Sequence, residues 1–139
     1  MLYGEFRQIL DGKGRVFIPA KMRDALGEAF MVSRGLDRCV CIYPMDEWAS
    51  FVEKLEALPI AKERMVRRFF YSGAVDGSLD TQGRVTLSPL YREFASLEKD
   101  IVVVGNKTHI EIWSASAWDN QQLLMSSEEI TRELEKLDF

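Results

Sequence analysis

The sequence is poor in the residues from which most catalytic and metal centres are built. It holds one histidine and two cysteines among 139 residues. Cys39 and Cys41 lie two positions apart in an alternating apolar run, which predicts both side chains on one face of a strand, in a poor position for a mutual disulfide. We therefore expect free thiols and a reducing compartment, in which such thiols persist.

Long hydrophobic runs are also missing. Residues 1–10 include Glu5 and Arg7 and no apolar block of signal-peptide length, and no later segment approaches the roughly 20 apolar residues that a membrane helix needs. A glycine-rich phosphate loop is absent as well. These features predict a soluble, cytoplasmic protein with no membrane partner.

The chain has no overall excess of basic charge. Its net charge is −4, whereas proteins that coat nucleic acids without selectivity carry a strong basic excess. The charges are unevenly distributed, however: residues 5–23 hold five basic and two acidic side chains, and residues 62–68 hold four and one. Residues 128–138 hold two basic and five acidic side chains. The acidic total therefore conceals two basic segments.

One motif is present twice. Asp11-Gly-Lys-Gly-Arg15 and Asp80-Thr-Gln-Gly-Arg84 are each followed by valine, and the two aspartates lie 69 positions apart. Such a repeat predicts a duplicated structural unit. Because 69 residues are near the lower limit for an independent core, we expect the two units to pack together as one pseudo-symmetric body. Further positions align at this offset, or at one residue more after an insertion: Arg23 with Arg92, Asp24 with Glu93, Gly35 with Gly105, Ile42 with Ile112, Tyr43 with Trp113 and Trp48 with Trp118.

The pattern of each unit predicts a hairpin, a short helix, a second hairpin and a longer helix. The motif supplies the first turn, since aspartate bonds its own backbone there and glycine accepts positive φ. The expected strands are residues 4–10, 16–18, 30–33, 39–43, 75–79, 85–87, 101–104 and 109–113. Six helices are expected. Two end at Leu26 and Leu58, and a third spans residues 61–71 with Met65, Phe69 and Phe70 inward. The other three begin at Pro89, Ser114 and Ser126.

The arginine after each turn carries the functional signal. A turn needs the aspartate and the glycine, but its geometry does not require arginine after the glycine in both copies. An arginine fork can hold a guanine edge or a phosphate, and an aspartate four positions earlier can orient that fork. An ordinary hairpin with solvated arginines is the alternative. The expected binding residues are Arg15, Arg84 and Lys13, and the expected loop-orienting residues are Asp11, Asp80, Gly14 and Gly83.

Catalytic and metal sites are poorly supported. Asp11 and Asp80 could form a carboxylate pair joined by His109, but no nucleophile motif accompanies them. We therefore expect no enzyme, no cofactor and no small-molecule substrate. A structural zinc site usually takes four ligands, and beside Cys39 and Cys41 only the histidine of the other half could help, so no metal is expected.

Two helical segments have open interpretations. The basic residues of 62–68 could contact phosphates, although the solvated face of an amphipathic helix explains them better. The acidic helix near residues 127–137 is either a partner-binding or oligomer helix, or an ordinary surface helix packed by one apolar stripe.

A series of longer motifs stands in a fixed order along the chain. They are Asp11-Gly-Lys-Gly-Arg-Val-Phe-Ile-Pro-Ala, Arg34-Gly-Leu-Asp, Tyr43-Pro-Met followed by Trp48, Arg68-Phe-Phe-Tyr-Ser-Gly-Ala and Asp80-Thr-Gln-Gly-Arg-Val. Together they resemble the MraZ family of bacterial transcriptional regulators, over about residues 1–120.

The resemblance implies an α+β fold, mixed β with helices. It implies a duplicated swapped-hairpin, AbrB-like double-split β-barrel with a pseudo-two-fold axis inside one chain and a C-terminal helix. The expected divisions are SpoVT-AbrB-like repeats at 5–48 and 77–120, a helical connection at 49–76 and an acidic C-terminal helix at 121–139.

The family's Asp-x-x-x-Arg positions fall here on the two repeated motifs. The second copy departs from the first, with Gln82 in place of Lys13 and Ser88-Pro89 in place of Pro19-Ala20. We therefore expect the first loop to be the principal DNA reader.

The resemblance also implies a function. It predicts a sequence-specific regulator that binds double-stranded DNA at short direct repeats, in the promoter of a division and cell-wall gene cluster. It further implies a ring-like homo-oligomer in the cytoplasm, associated with the nucleoid. Many copies of one loop would gain affinity through effective concentration, which suits an acidic chain. An oligomeric protein-interaction scaffold, or an antitoxin-like module without sequence-specific DNA reading, is the alternative.

Overall fold

The computed structural model describes residues 1–138, and every strand and helix that the sequence pattern predicts is present in it. The acidic helix expected at 121–139 is shorter, since one helix ends at Leu124 and the acidic helix spans Ser127–Glu135; residue 139 lies outside the described residues. The strands are β1 Leu2–Ile9, β2 Arg15–Phe17, β3 Ala29–Arg34, β4 Val40–Pro44, β5 Val75–Ser78, β6 Arg84–Thr86, β7 Asp100–Lys107 and β8 His109–Ser114. The helices are α1 Ala20–Leu26, α2 Met45–Leu55, α3 Ile60–Ser72, α4 Pro89–Phe94, α5 Ala115–Leu124 and α6 Ser127–Glu135, with a 3₁₀ turn at Leu36–Arg38.

The strands on either side of each repeated turn do not pair with each other, so the predicted first hairpins are wrong. Strand β1 pairs with β7 of the second unit, and β5 pairs with β3 of the first. The short strands β2 and β6 pair with each other as a two-stranded ribbon. This pairing sets Val16 opposite Val85, and both valines are buried in the shared core, which favours the exchange because it removes their apolar surface from water.

The second hairpins form as predicted and build the larger sheet. Strands β3 and β4 pair, β7 and β8 pair, and β4 joins β8 across the two units. The sheet has six strands in the order β1-β7-β8-β4-β3-β5, with every neighbouring pair antiparallel. Strands β1 and β5 are its edges, so this sheet is open over the described residues. The α+β class is confirmed.

One hydrophobic core is shared by the two units. It lies between the larger sheet, the ribbon and helices α1 and α4, and includes Ile18, Met22 and Phe30 from the first unit and Leu87 and Tyr91 from the second. The Tyr91 hydroxyl donates a hydrogen bond to the carbonyl of Val32 at 3.0 Å, so this buried polar group is satisfied. The halves depend on each other, as the short repeat predicted.

A second, smaller cluster covers the other face of β4 and β8. It contains Cys41, Tyr43 and Trp113 from the strands, Cys39 just before β4, and Trp48, Phe51 and Trp118 from helices α2 and α5. Alternate residues of a strand point to opposite faces, so the neighbouring Val40, Ile42, Ile110 and Ile112 belong to the main core. Helices α2 and α5 therefore form a layer on the far side of the sheet.

Helices α3 and α6 expose more apolar surface than the sequence predicts. Met65 is 69% exposed and not inward, because the inward stripe of α3 runs through Val66, Phe69 and Phe70. Helix α6 begins with the predicted cap, in which Ser126 Oγ accepts a hydrogen bond from the Glu129 N–H at 3.1 Å. Its apolar stripe stays largely in solvent, with Ile130, Leu134 and, just beyond the helix, Leu137 all exposed. None of the helices in residues 1–138 has the length and apolar character needed to cross a membrane.

Candidate nucleic-acid interface

The two repeated motifs fold into the same loop. Asp11 Oδ1 accepts hydrogen bonds from the backbone N–H groups of Lys13 at 3.0 Å and Arg15 at 2.9 Å. The N–H of Gly14 donates to the Asp11 carbonyl at 3.0 Å. The loop that begins at Asp80 has the same three hydrogen bonds, at 2.9, 2.9 and 3.0 Å. Each aspartate side chain thus accepts hydrogen bonds from backbone N–H groups that have no backbone acceptor within the turn.

The same aspartates hold the two arginines. The Nε of Arg15 donates to Asp11 Oδ2 at 2.5 Å, and the Nε of Arg84 donates to Asp80 Oδ2 at 2.9 Å. Arg84 Nη1 also lies 4.0 Å from Asp11 Oδ2, so the two loops are adjacent. The bond to each Nε leaves the outer Nη donors available to an added partner, and the arginine side chains are 30% and 25% exposed.

The loops also keep their carboxylates ionised. The pKa of Asp11 is lowered to about 2, first by the backbone N–H of Arg15 and then, against the opposing effect of burial, by the Arg15 side chain and the Lys13 N–H. The pKa of Asp80 is lowered in the same way, with the Arg84 N–H as the largest cause. Hydrogen bonds and cations favour the charged carboxylate, so both aspartates are anions at neutral pH and keep their hold on the arginines.

The arginines stand on the outer face of the ribbon. Arg15 opens β2 and Arg84 opens β6, and in the antiparallel register Phe17 lies opposite Arg84. Because side chains alternate along a strand, Arg15, Phe17 and Arg84 share the face opposite the buried Val16 and Val85. The ribbon therefore presents two oriented guanidinium groups and an aromatic ring outward.

Each loop is backed by an arginine from the other unit, a feature that the sequence analysis missed as part of the site. Arg23 of α1 lies against Gly83, and Arg92 of α4 lies against Gly14. The Nε of Arg23 donates to the carbonyl of Ile18 at 2.8 Å, and its guanidinium stacks 4.7 Å above the Phe17 ring. The signal was present in the sequence, because Arg23 and Arg92 are separated by the same 69 positions as the two motifs.

The surroundings of the loops are basic although the chain is acidic. Counting the loop side chains and the two backing arginines gives five cations against two carboxylates, a local charge of +3 in a chain of −4. A patch of this sign attracts phosphate. The set is Lys13, Arg15, Arg23, Arg84 and Arg92 against Asp11 and Asp80.

Gly14 to alanine is expected to destabilise the protein by about 1–3 kcal/mol, because Gly14 has φ of 79° and side chains are strained there. An added Cβ would also lie 2.7 Å from the Leu87 carbonyl and 2.9 Å from Arg92 Nε. Gly12 to alanine in the same loop is the matched control, since its Cβ would meet nothing within 4 Å. Urea unfolding of the two variants measures the difference, and equal stabilities would show that the left-handed backbone at residue 14 carries no strain.

The other sequence candidates lie outside this patch. His109 hydrogen-bonds with Thr108 and Glu111, not with the loop aspartates, so the carboxylate pair joined by histidine, which the sequence supported poorly, does not assemble. The basic side chains of α3 are exposed, and Arg67 pairs with Glu63 one turn away. These residues form an exposed helix face, and the solvated face stays the favoured interpretation beside phosphate contact.

Comparison with known proteins agrees with the duplication. A family model described as "MraZ protein, putative antitoxin-like" matches the chain twice, at residues 1–69 and 70–138. The transcriptional regulator MraZ of Natranaerobius thermophilus is 47% identical over all of both chains. That of Heliobacterium modesticaldum is 44% identical over all of this chain and 99% of its own, and that of Desulfitobacterium hafniense is 48% identical over 86% and 85%.

These similarities cover both repeats, including the part beyond residue 120, to which the motifs of the sequence analysis do not extend. They identify a transcriptional regulator and not an enzyme. Since the family model matches nearly the whole chain in two copies and the relatives named above are 44–48% identical, the chain belongs to the MraZ family.

Proposed function

We propose that this regulator binds double-stranded DNA sequence-specifically, at short direct repeats in the promoter of a division and cell-wall gene cluster. The observation that carries the proposal is the pair of adjacent loops in which Arg15 and Arg84 are each held by their Nε atoms. An arginine that is oriented before binding loses little further freedom when it meets a base. Its two outer nitrogens then match the O6 and N7 acceptors of guanine.

The ribbon has a shape that suits the major groove. That groove admits a two-stranded β-ribbon, and the outer face of β2 and β6 carries both arginines. Lys13 is exposed at the tip of the first loop and supplies a contact to a phosphate or a base. The equivalent residue of the second loop is Gln82, which carries no charge, so the first loop is the principal reader and the second is its helper.

The strand exchange supports the finer fold assignment that goes with this function. In an AbrB-like swapped-hairpin, double-split β-barrel the two repeats exchange strands, and here β1 and β5 each pair with the other unit. The proposed divisions are repeats at 5–48 and 77–120, a connection at 49–76 and a C-terminal segment at 121–139, in which α6 spans Ser127–Glu135. The proposed location is the cytoplasm, in association with the nucleoid.

Assembly into a ring-like homo-oligomer completes the proposal. One bidentate base contact discriminates by only about 1–3 kcal/mol, so useful specificity requires several copies on repeated sites. Native mass spectrometry is expected to give a multiple of the 16.0 kDa chain mass at micromolar concentration. A monomer that binds tandem DNA repeats no more tightly than a single repeat would contradict the ring.

Binding to DNA from upstream of the gene tests the central claim. A duplex that holds the direct repeats is compared with a shuffled duplex of equal length and composition, at one salt concentration. We expect the repeats to bind at least about 10³-fold more tightly, as specific sites do relative to non-specific DNA. Equal affinity for the two duplexes would refute sequence-specific binding.

A protein-binding role is the second candidate, and the exposed α6 favours it. Ile130, Leu134 and Leu137 form an apolar stripe that is open to solvent, a feature of scaffolds and of antitoxin-like modules that cover a partner. The same comparison of duplexes separates the two roles, because a scaffold shows no preference between repeated and shuffled DNA.

A further inference from the structure

Four side chains that commonly bind metals meet on the face of the sheet turned away from the main core. Strand β4 carries Cys41 and directly follows Cys39, and β8 carries His109 and Glu111. Cys41 lies directly opposite Glu111 in the antiparallel register. The two pairs occupy equivalent positions of the repeats, 70 residues apart, so the duplication itself brings them together where the units join.

The distances within this cluster match a tetrahedral cation site. The two Sγ atoms are 3.9 Å apart, and a carboxylate oxygen of Glu111 lies within 4.8 Å of both. Zinc–sulfur bonds of about 2.3 Å at tetrahedral angles place two thiolates about 3.8 Å apart. The thiols are therefore already at the spacing that one ion requires.

The carboxylate is held by hydrogen bonds from three neighbours. Glu111 Oε2 accepts from Asn106 at 3.2 Å and interacts with His109 Nε2 at 3.2 Å, and Oε1 accepts from Trp113 at 3.1 Å. Partners of this kind orient metal-binding carboxylates in proteins.

Packing alone does not explain the arrangement. Buried cysteines are ordinary small apolar residues, and Cys39 and Cys41 are only 1% and 3% exposed. A carboxylate beside them costs free energy of desolvation, and the Glu111 side chain is only 17% exposed. A cation between the thiols and the carboxylate would add to the three hydrogen bonds that already offset this cost.

The cluster also adjoins a cavity. A cavity of about 210 Å³ reaches the cluster and is lined by Cys41, Tyr43, His109 and Glu111 among others. A water molecule occupies about 30 Å³ of liquid volume, so the cavity has room for a cation and its remaining water. The fourth position of a tetrahedral ion would face this cavity.

We propose that Cys39, Cys41 and Glu111 form a binding site for a thiophilic divalent cation, with Zn²⁺ as the type, and that His109 positions Glu111. Binding replaces the two thiol protons by two metal–sulfur bonds and adds one bond to the carboxylate, so two protons leave for each ion. The ion would join β4 of the first unit to β8 of the second. It would thereby stabilise the pairing of the repeats, whether or not the protein binds DNA.

Cobalt titration of the reduced, full-length protein tests the site directly. We expect one Co²⁺ per chain, a thiolate-to-cobalt charge-transfer band in the near ultraviolet, and loss of that band when Zn²⁺ is added. Calorimetry in buffers of different ionisation enthalpy should find two protons released per Zn²⁺. Both cysteines are buried, so they are alkylated only when the fold opens, and zinc should slow that alkylation. A titration without the band, or thiols that zinc leaves reactive, would refute the proposal.

Substitutions then assign the ligands. Cys39→Ser, Cys41→Ser and Glu111→Gln are each expected to weaken Zn²⁺ binding more than His109→Gln, for which a loss of about 10- to 100-fold is typical of a residue that orients a ligand. Glu129→Gln, in the exposed first turn of α6, is the control and should bind as the original chain does. Each folded variant is also heated with and without Zn²⁺, since only an intact site raises the melting temperature on binding. Unchanged zinc affinity after removal of both thiols would overturn the assignment of the ligands. If a variant does not fold, the alkylation of the unsubstituted protein still tests the site.

Discussion

Arg15 to alanine is expected to weaken binding to the direct-repeat DNA by about 5- to 150-fold for each engaged loop, the equivalent of one bidentate base contact. Asp11 holds the Arg15 Nε at 2.5 Å, so removal of the side chain takes away an oriented fork that water does not replace. Arg84 to alanine should cost less, because Gln82 gives the second loop no charge beside its arginine. Titration of labelled duplex at constant salt measures both losses.

The pattern of losses across DNA sequences separates base recognition from phosphate binding. If Arg15 reads a base, its removal reduces the preference for the repeats over shuffled DNA. If Lys13 meets a phosphate, Lys13 to alanine weakens binding to both duplexes alike and reduces the salt slope by about one. Arg64 to alanine removes the same charge from the exposed face of α3 and is the matched control. Unchanged affinity for both loop arginine variants would show that these residues do not read DNA.

The order of strands and helices was predictable from the sequence, but the pairing of the strands was not. Local patterns identify β1 and β2 on either side of a turn, and such neighbours usually form a hairpin. Here the side chain of Gln8, and not the backbone of β1, hydrogen-bonds to β2. Its amide donates to the Phe17 carbonyl at 2.7 Å and accepts from the Phe17 N–H at 2.8 Å. Each strand could pair within its own unit or with the other unit. Packing in the shared core decides between the two, and a local sequence pattern holds no information about that packing.

The loops of the site were predictable because their chemistry is local, within five residues. The contributions of the other unit were not, since Arg23 reaches Gly83 only through the packing of the two halves. The cluster of Cys41 and Glu111 was missed for the same reason, because Cys41 lies in an apolar run of one strand and Glu111 on the polar face of another. The sequence did hold a signal in both cases, namely polar residues at the offset of the repeat.

Phe30 to alanine is expected to destabilise the protein by about 3–5 kcal/mol, the usual loss for a buried aromatic residue. Phe30 is fully buried in β3 and lies opposite Gly77 of the exchanged strand β5. A Cβ at residue 77 would lie 2.5 Å from Phe30 Cε1, so the ring occupies the space that glycine leaves. The phenyl ring of Phe30 thus fills the space between the two units, and its removal leaves a cavity where the strands are exchanged.

Urea unfolding at a fixed protein concentration measures this loss, because assembly would make the apparent stability concentration-dependent. Phe6 to alanine removes the same side chain from the edge strand β1, where it is 41% exposed, and should cost less than half as much since less apolar surface returns to water. If the two variants lost equal stability, the junction at β3 and β5 would contribute no more than an exposed edge. The strand exchange would then be stabilised chiefly by its backbone hydrogen bonds. In that case the Phe30 to alanine variant would still bind DNA.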